Sequence, residues 1–172
     1  MEKLKKRKEI YQGKVIHVVC DDVSLDDGSI AKREVAYHNG GVCIGLKHND
    51  KYFMVKQYRY AQGKEMIEFP AGKIEKGENP DEAILREAIE ETGFSAKNVI
   101  KVGQMIPTCG YSSEIIHLYM GEADKYMGQD LDEDERINVF EFTLDEIRGM
   151  ILDGKIDDGK TIALMYQIEN RK

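Results

Sequence analysis

The sequence predicts an α+β fold. Three observations support this: strand-like alternation dominates before residue 75, helix-capping signals occur only after it, and no repeat, low-complexity tract or Pro/Ser-rich linker divides the chain. With 172 residues, a single domain spanning 1–172 is expected, large enough to fold without a disulfide or structural metal. Lys14 to Cys20 and Asp22 to Leu25 alternate and are rich in β-branched residues. Asp26-Asp27-Gly28 is a turn signal and Ile30 to Tyr37 alternates again, so a hairpin is expected. Val42 to Leu46, the polar break His48-Asn49-Asp50 and Tyr52 to Tyr60 read as a second hairpin. Met66 to Phe69 is a short strand ended by Pro70. Asn79-Pro80-Asp81-Glu82 starts a helix: Asn caps, Pro suits the first helical position, and Glu82 completes a capping-box-like pattern. Gly93 ends that helix where a left-handed residue is wanted. Strands follow at Val99 to Ile106, Glu114 to Met120 and Ile137 to Phe142. Thr143-Leu144-Asp145-Glu146 opens a helix to about Leu152, and a last helix spans about Lys160 to Asn170.

Composition narrows the function. The 25 Lys and Arg against 32 Asp and Glu leave a net charge of −7, which argues against a general nucleic-acid binder. No apolar run approaches the ~20 residues of a membrane span, and the Lys- and Glu-rich start lacks the apolar core of a secretory signal. Cys20, Cys43 and Cys109, an odd number without a C-x-x-C pair, fit reduced thiols and a cytoplasmic protein. The charge is uneven. Residues 1–14 are net +4 and suggest a basic arm, whereas residues 72–94 are net −4 and residues 121–135 net −6. The two acidic stretches together exceed the whole-chain excess.

On the helix after Asn79, Ile84, Leu85, Ala88 and Ile89 form an apolar stripe at 3.6 residues per turn. Glu87, Glu90 and Glu91 gather on the other side, where like charges three and four residues apart repel by a few tenths of a kcal/mol per pair. Arg86 can pair with Glu82 or Glu90 but does not neutralise the group. Such a cluster reads either as a solvated acidic face or as a seat for a hard cation such as Mg²⁺, which takes oxygen ligands and shares carboxylates with substrate phosphates.

The residues before the helix favour the second reading. From Gly72 to Phe94 the chain carries Gly, five residues, Glu, seven residues, then Arg-Glu-apolar-x-Glu-Glu-x-Gly-apolar, at Gly72, Glu78, Arg86, Glu87, Ala88, Glu90, Glu91, Gly93 and Phe94. This stretch, 72–94, resembles the signature of Nudix hydrolases, with Ala88 a small but apolar occupant of its position. The resemblance implies a mixed β-sheet sandwiched between helices, an N-terminal antiparallel strand region over about residues 1–40, and metal-dependent hydrolysis of a nucleoside diphosphate linked to another moiety. Ile10 to Val15, Lys32 to Val35, Val55 to Tyr60 and Ile67 to Lys73 are similar to the ADP-ribose pyrophosphatase branch. In Thr108-Cys109-Gly110-Tyr111-Ser112-Ser113-Glu114 the Gly, the aromatic and the Glu of that branch are kept, while Cys109 stands where Pro is usual. That departure keeps GDP-mannose and ADP-glucose open as substrates. Oxidised nucleoside triphosphates and a non-catalytic nucleotide-binding module are further alternatives.

Carried over residue by residue, the resemblance implies that the Ala71 carbonyl, Glu87, Glu90 and Glu91 hold Mg²⁺, with Mn²⁺ as a substitute, and that Arg86 orients a glutamate. It implies that Arg59, Arg33 and Glu114 contact the substrate, and that the N-terminal region builds a homodimer. The general base is expected in the acidic loop, at Glu133 first and Glu135 second. An EF-hand-like count over Asp130, Asp132, Asp134 and Glu141 fails at Glu135, where the sharp turn demands Gly. His17, His38, His48 and His117 show no metal-ligand spacing, and nothing beside Cys109 argues for an activated thiol.

Overall fold

The computed structural model describes residues 1–131, 133 and 135–171. Its contacts group the chain into two units, residues 1–40 with 106–115, and residues 41–105 with 116–172. The first unit is a three-stranded antiparallel sheet in the order β1 (Lys3–Gln12), β2 (Ile16–Ser24), β3 (Ile30–His38). The expected hairpin joins β2 to β3 and pairs without interruption from Ser24 and Ile30 to Ile16 and His38. Two segments that read separately, split at Cys20-Asp21, form one strand.

The basic arm is instead a strand. Every residue of β1 is exposed, so the segment carries no alternation to reveal it. Cross-strand pairing with β2 holds it, helped by Arg7, whose Nε and Nη2 donate to the two carboxylate oxygens of the buried Asp21 at 3.0 and 2.7 Å. The loop at 106–115 belongs to this unit through backbone bonds from Ala36 N to Tyr111 O (2.7 Å) and from Ser113 N to Ala36 O (3.0 Å).

The second unit is built on a mixed sheet. Its strands β4 (Gly41–His48), β5 (Lys51–Arg59), β8 (Phe94–Met105), β9 (Ile116–Tyr126) and β10 (Ile137–Phe142) lie in the order β10-β5-β4-β9-β8. The short strands β6 (Lys64–Glu68) and β7 (Ala71–Lys73) pair with β5 and β4. β4 and β9 run parallel, and Gly41 to Leu46 are all buried, the continuous apolar run expected of a strand covered on both faces.

Alternation along β4 divides two cores. Val42, Ile44 and Leu46 face α1 (Pro80–Thr92) through Ala83, Ile84 and Ala88. Cys43 faces α2 (Leu144–Leu152) and α3 (Gly159–Glu169) through Ile147, Leu164, Met165 and Ile168. The mixed sheet thus lies between helices, as the signature implied.

The helix ends follow their local chemistry. Asn79 caps α1 by accepting from the Asp81 backbone N–H (2.9 Å), and Gly93 closes it at φ 79°. Thr143 and Glu146 complete a capping box on α2. The apolar stripe of α1 needs correction, however. Leu85 is 43% exposed, and the buried residues are Ala83, Ile84, Ala88, Thr92 and also Glu91. Asp132 and Asp134 of the calcium-like count lie outside the described residues, and the segment containing Glu141 is strand β10 rather than a helix. Among the described residues, no helix is long and apolar enough to cross a membrane.

Candidate active site

The signature loop is tied together by one arginine. Beyond β7 the chain turns through Gly77, whose φ of 84° is open to glycine, and Glu78 accepts from the Glu75 backbone N–H (2.8 Å). Arg86, on α1, reaches back to this loop: Nε and Nη2 donate to the two oxygens of Glu78 at 2.9 and 3.0 Å, and Nη2 to the Lys73 carbonyl at 3.1 Å. Its Nη1 donates to Glu87 (2.9 Å) and Glu90 (2.7 Å). The arginine therefore offsets more of the acidic cluster than the sequence suggested, and its partners exclude Glu82 among the hydrogen bonds of the described residues. Such bidentate, charge-assisted bonds fix the loop against the helix.

Glu91 is not on the solvated side of α1. It is 3% exposed, and its Oε2 accepts from the Ala71 backbone N–H at 2.8 Å. Burial pushes its pKa up to about 8, the Glu87 and Glu135 charges adding to the rise and Arg59 opposing it. Glu87 lies directly over Gly72, where a Cβ would come within 1.8 Å of the carboxyl carbon. Burial pushes Glu87 up to about 7 despite Arg86, again with Glu135 among the charges that raise it. Two carboxylates stripped of solvent beside a strand end are oxygen donors short of positive charge. That chemistry fits a hard divalent cation, which Mg²⁺ sites of this kind hold with one or two carboxylates and substrate oxygens. Among the described residues, no three His, Cys, Asp or Glu side chains converge into a closed cage by themselves.

Arg59, at the end of β5, adjoins the same site. Its Nε and Nη2 donate to Glu68 at 2.8 and 2.6 Å, and Glu68, 1% exposed, also receives the Lys160 ammonium. Sequence reading missed Glu68, Lys160 and Asp158. A charged residue inside the apolar run Met66 to Phe69 was a signal for Glu68, but nothing local marks Lys160, 92 positions away.

The remaining expected residues divide by unit. Ala71, Arg86, Glu87, Glu90, Glu91, Arg59, Glu133 and Glu135 belong to the second unit, Arg33 and Glu114 to the first. Of the acidic-loop pair, Glu135 is the one whose charge reaches both Glu87 and Glu91, while Glu133 is exposed. Arg33 is engaged by Glu2 and by the Lys32 carbonyl (2.9 Å), and Glu114 lies 3.6 Å from His38.

The family model of the NUDIX domain matches residues 37–165, three quarters of the chain and all of the signature. The chain belongs to the Nudix family. Nudix hydrolases are generally dependent on a divalent metal, in keeping with the Glu87–Glu91 donor pair. The chain is 37% identical over 169 residues to an ADP-ribose pyrophosphatase of Bacillus subtilis, covering 96% of this chain and 91% of that protein. It is 41% identical, with the same coverage, to a methanol dehydrogenase activator of Bacillus methanolicus. A GDP-mannose pyrophosphatase of Yersinia enterocolitica is 35% identical over 163 residues, covering 87% of this chain and 85% of that protein. A solved structure described as an ADP compounds hydrolase matches the fold at a TM-score of 0.87, with 18% identity and coverage of 98% of this chain and 92% of that one. The Nudix fold therefore extends over nearly the whole chain.

Proposed function

We propose that this Nudix protein hydrolyses the pyrophosphate bond of a nucleoside diphosphate sugar, with ADP-ribose giving AMP and ribose 5-phosphate. The observation that carries the reading is the Glu91–Glu87 pair, one carboxylate buried under Ala71 and the other seated over Gly72, both short of positive charge. Glu87 and Glu91, with Glu90 and the Ala71 carbonyl beside them, hold Mg²⁺ or Mn²⁺. A divalent cation held there would supply the positive charge that offsets the diphosphate and lowers the pKa of the attacking water. Arg86 orients Glu87 and Glu90, and Arg59 binds a phosphate oxygen with the donors that Glu68 leaves unused. A glutamate of the acidic loop accepts the proton of the water, a contribution of roughly 10²–10⁴ in rate. Glu135 is the stronger choice because its charge is felt at both Glu87 and Glu91, with Glu133 second.

Arg33 and Glu114 contact the substrate ribose or phosphates, and the N-terminal sheet takes part in a homodimer of a cytoplasmic enzyme. Leu4, Ile10 and Tyr11 are exposed on or beside its edge strand, which supports an interface there. A monomer by light scattering at micromolar concentration refutes the dimer. The test of the activity is a panel of ADP-ribose, GDP-mannose, ADP-glucose, NADH and 8-oxo-dGTP, each with Mg²⁺ and with Mn²⁺. ADP-ribose is expected to have the highest kcat/KM. No hydrolysis of any nucleotide sugar, or a preference for 8-oxo-dGTP, overturns the reading. The 41% identity to a methanol dehydrogenase activator supports a second reading, in which the chain raises the turnover of a partner dehydrogenase. Adding the chain to purified methanol dehydrogenase tests it directly, and unchanged turnover refutes it.

A further inference from the structure

Beneath the site lies a buried carboxylate with an ammonium beside it, neither of which the proposed chemistry itself uses. Glu68 is 1% exposed, and a carboxylate so placed is tolerated only with close positive partners. It has two. Arg59 meets it side-on through Nε and Nη2, at 2.8 and 2.6 Å, which fixes the guanidinium plane and directs the Nη1 edge away from Glu68. Lys160 donates to Oε2, the same oxygen that receives Arg59 Nη2. Two cations converging on one oxygen hold each other to opposite sides of it.

Lys160 is itself anchored. Asp158 lies 3.0 Å from its ammonium and caps α3 by accepting from Thr161 N (2.9 Å) and Thr161 Oγ1 (2.7 Å). Thr161 Oγ1 in turn accepts from the Phe69 backbone N–H at 2.9 Å, so the start of α3 is fastened to the Glu68-Phe69 segment just before Ala71. The choice of lysine is not a helix-forming one. It occupies the first turn of α3, where the positive end of the helix dipole disfavours a cation, and its side chain is only 11% exposed. A neutral side chain of similar length would fill the space.

We propose that Lys160 is a positioning residue: by holding the oxygen of Glu68 that Arg59 shares, it keeps the Arg59 guanidinium turned toward the anionic diphosphate of the substrate. The role rests on the pyrophosphohydrolase reading above. Without the ammonium, Glu68 and Asp158 draw further donors of Arg59 inward, and the substrate loses a preorganised partner. Because the arginine serves substrate and transition state alike, the loss falls on KM rather than on kcat.

A double-mutant cycle over Lys160→Met and Arg59→Ala in the full chain tests this, read as kcat and KM for ADP-ribose with saturating Mg²⁺ and as the calorimetric Kd for ADP. Lys160→Met is expected to raise KM and the ADP Kd by about tenfold with kcat within about threefold, and to add less than about twofold once Arg59 is alanine. A KM and Kd within about twofold of wild type, or the same increase persisting in the Arg59→Ala background, overturns it. If Lys160→Met does not fold, Lys160→Gln takes its place in the cycle. Absence of turnover in the wild type, with ADP binding still dependent on Lys160 through Arg59, sinks the catalytic reading and leaves this one standing. Absence of ADP binding in the wild type sinks both.

Discussion

Replacing Gly72 by alanine should abolish most of the activity while leaving the fold in place. A Cβ built at Gly72 falls 1.8 Å from the carboxyl carbon of Glu87 and 2.0 Å from each of its oxygens. Carbon atoms in contact prefer about 3.5–4.0 Å, so the carboxylate must retreat by roughly 2 Å. The backbone does not object, because Gly72 is outside the positive-φ glycines and its pairing with Val42 suits any residue. The obstacle is the far end of one flexible side chain, so the fold gives way cheaply there. Strain in the Glu87 rotamer and a weakened Arg86 bond together cost about 1–2 kcal/mol, a fall in Tm of a few degrees at this chain length. Function tolerates less, since a misplacement of about 1 Å at a reacting centre can cost about 10²-fold. Gly72→Ala is therefore expected to lower kcat for ADP-ribose by at least about 10²-fold, with a cooperative melt within about 5 °C of wild type. Activity within about fivefold of wild type would show that the carboxylate over Gly72 has no part in the chemistry.

Glu91→Gln and Glu87→Gln should each lower kcat by about 10²-fold or more without unfolding the chain, because the amide keeps the shape and removes a ligand charge; near-wild-type turnover at saturating Mg²⁺ would refute this. Both glutamates have pKa values raised above the ordinary 4.5, to about 7 and about 8. Between 4.5 and those values the native state holds more protons than the unfolded one, so the stability these two groups contribute without metal is fully present below 4.5 and is lost as pH rises through 7 to 8. Melting in EDTA across this range should show the decline, Glu91→Gln should flatten it, and added Mg²⁺ should raise Tm more at the alkaline end; a Mg²⁺ shift independent of pH would count against the assignment. Gly149, on α2, has open space where a Cβ would stand, so Gly149→Ala should stabilise by about 0.5–1 kcal/mol in denaturant titration and leave kcat unchanged.

Legibility in the sequence followed the range of the interaction. Thr143 and Glu146 announce α2 because a capping box is completed within four residues. Asn79, Pro80 and Gly93 bracket α1 for the same reason. Strand β1 was hidden because it buries neither face, leaving backbone pairing with β2 as its main support. Glu91 was misread through residue type: spacing puts it on the stripe of Ile84 and Ala88, yet a glutamate is normally assigned to solvent.

By itself the sequence determined the signature from Gly72 to Phe94, the caps that frame its helix, and the presence of clustered acid, since these depend on residue identity and backbone geometry over a few positions. The tertiary structure alone decided which of those acids lose their water. Burial under Ala71 and Gly72 raises the pKa values of Glu91 and Glu87, and the three carboxylates that share Arg86 meet only when the loop folds back on α1. The anchoring of Arg59 by Glu68 and Lys160 likewise joins β5, β6 and α3 across 92 positions. Desolvation and ion pairing are set by what packs nearby in space, and no local pattern encodes them.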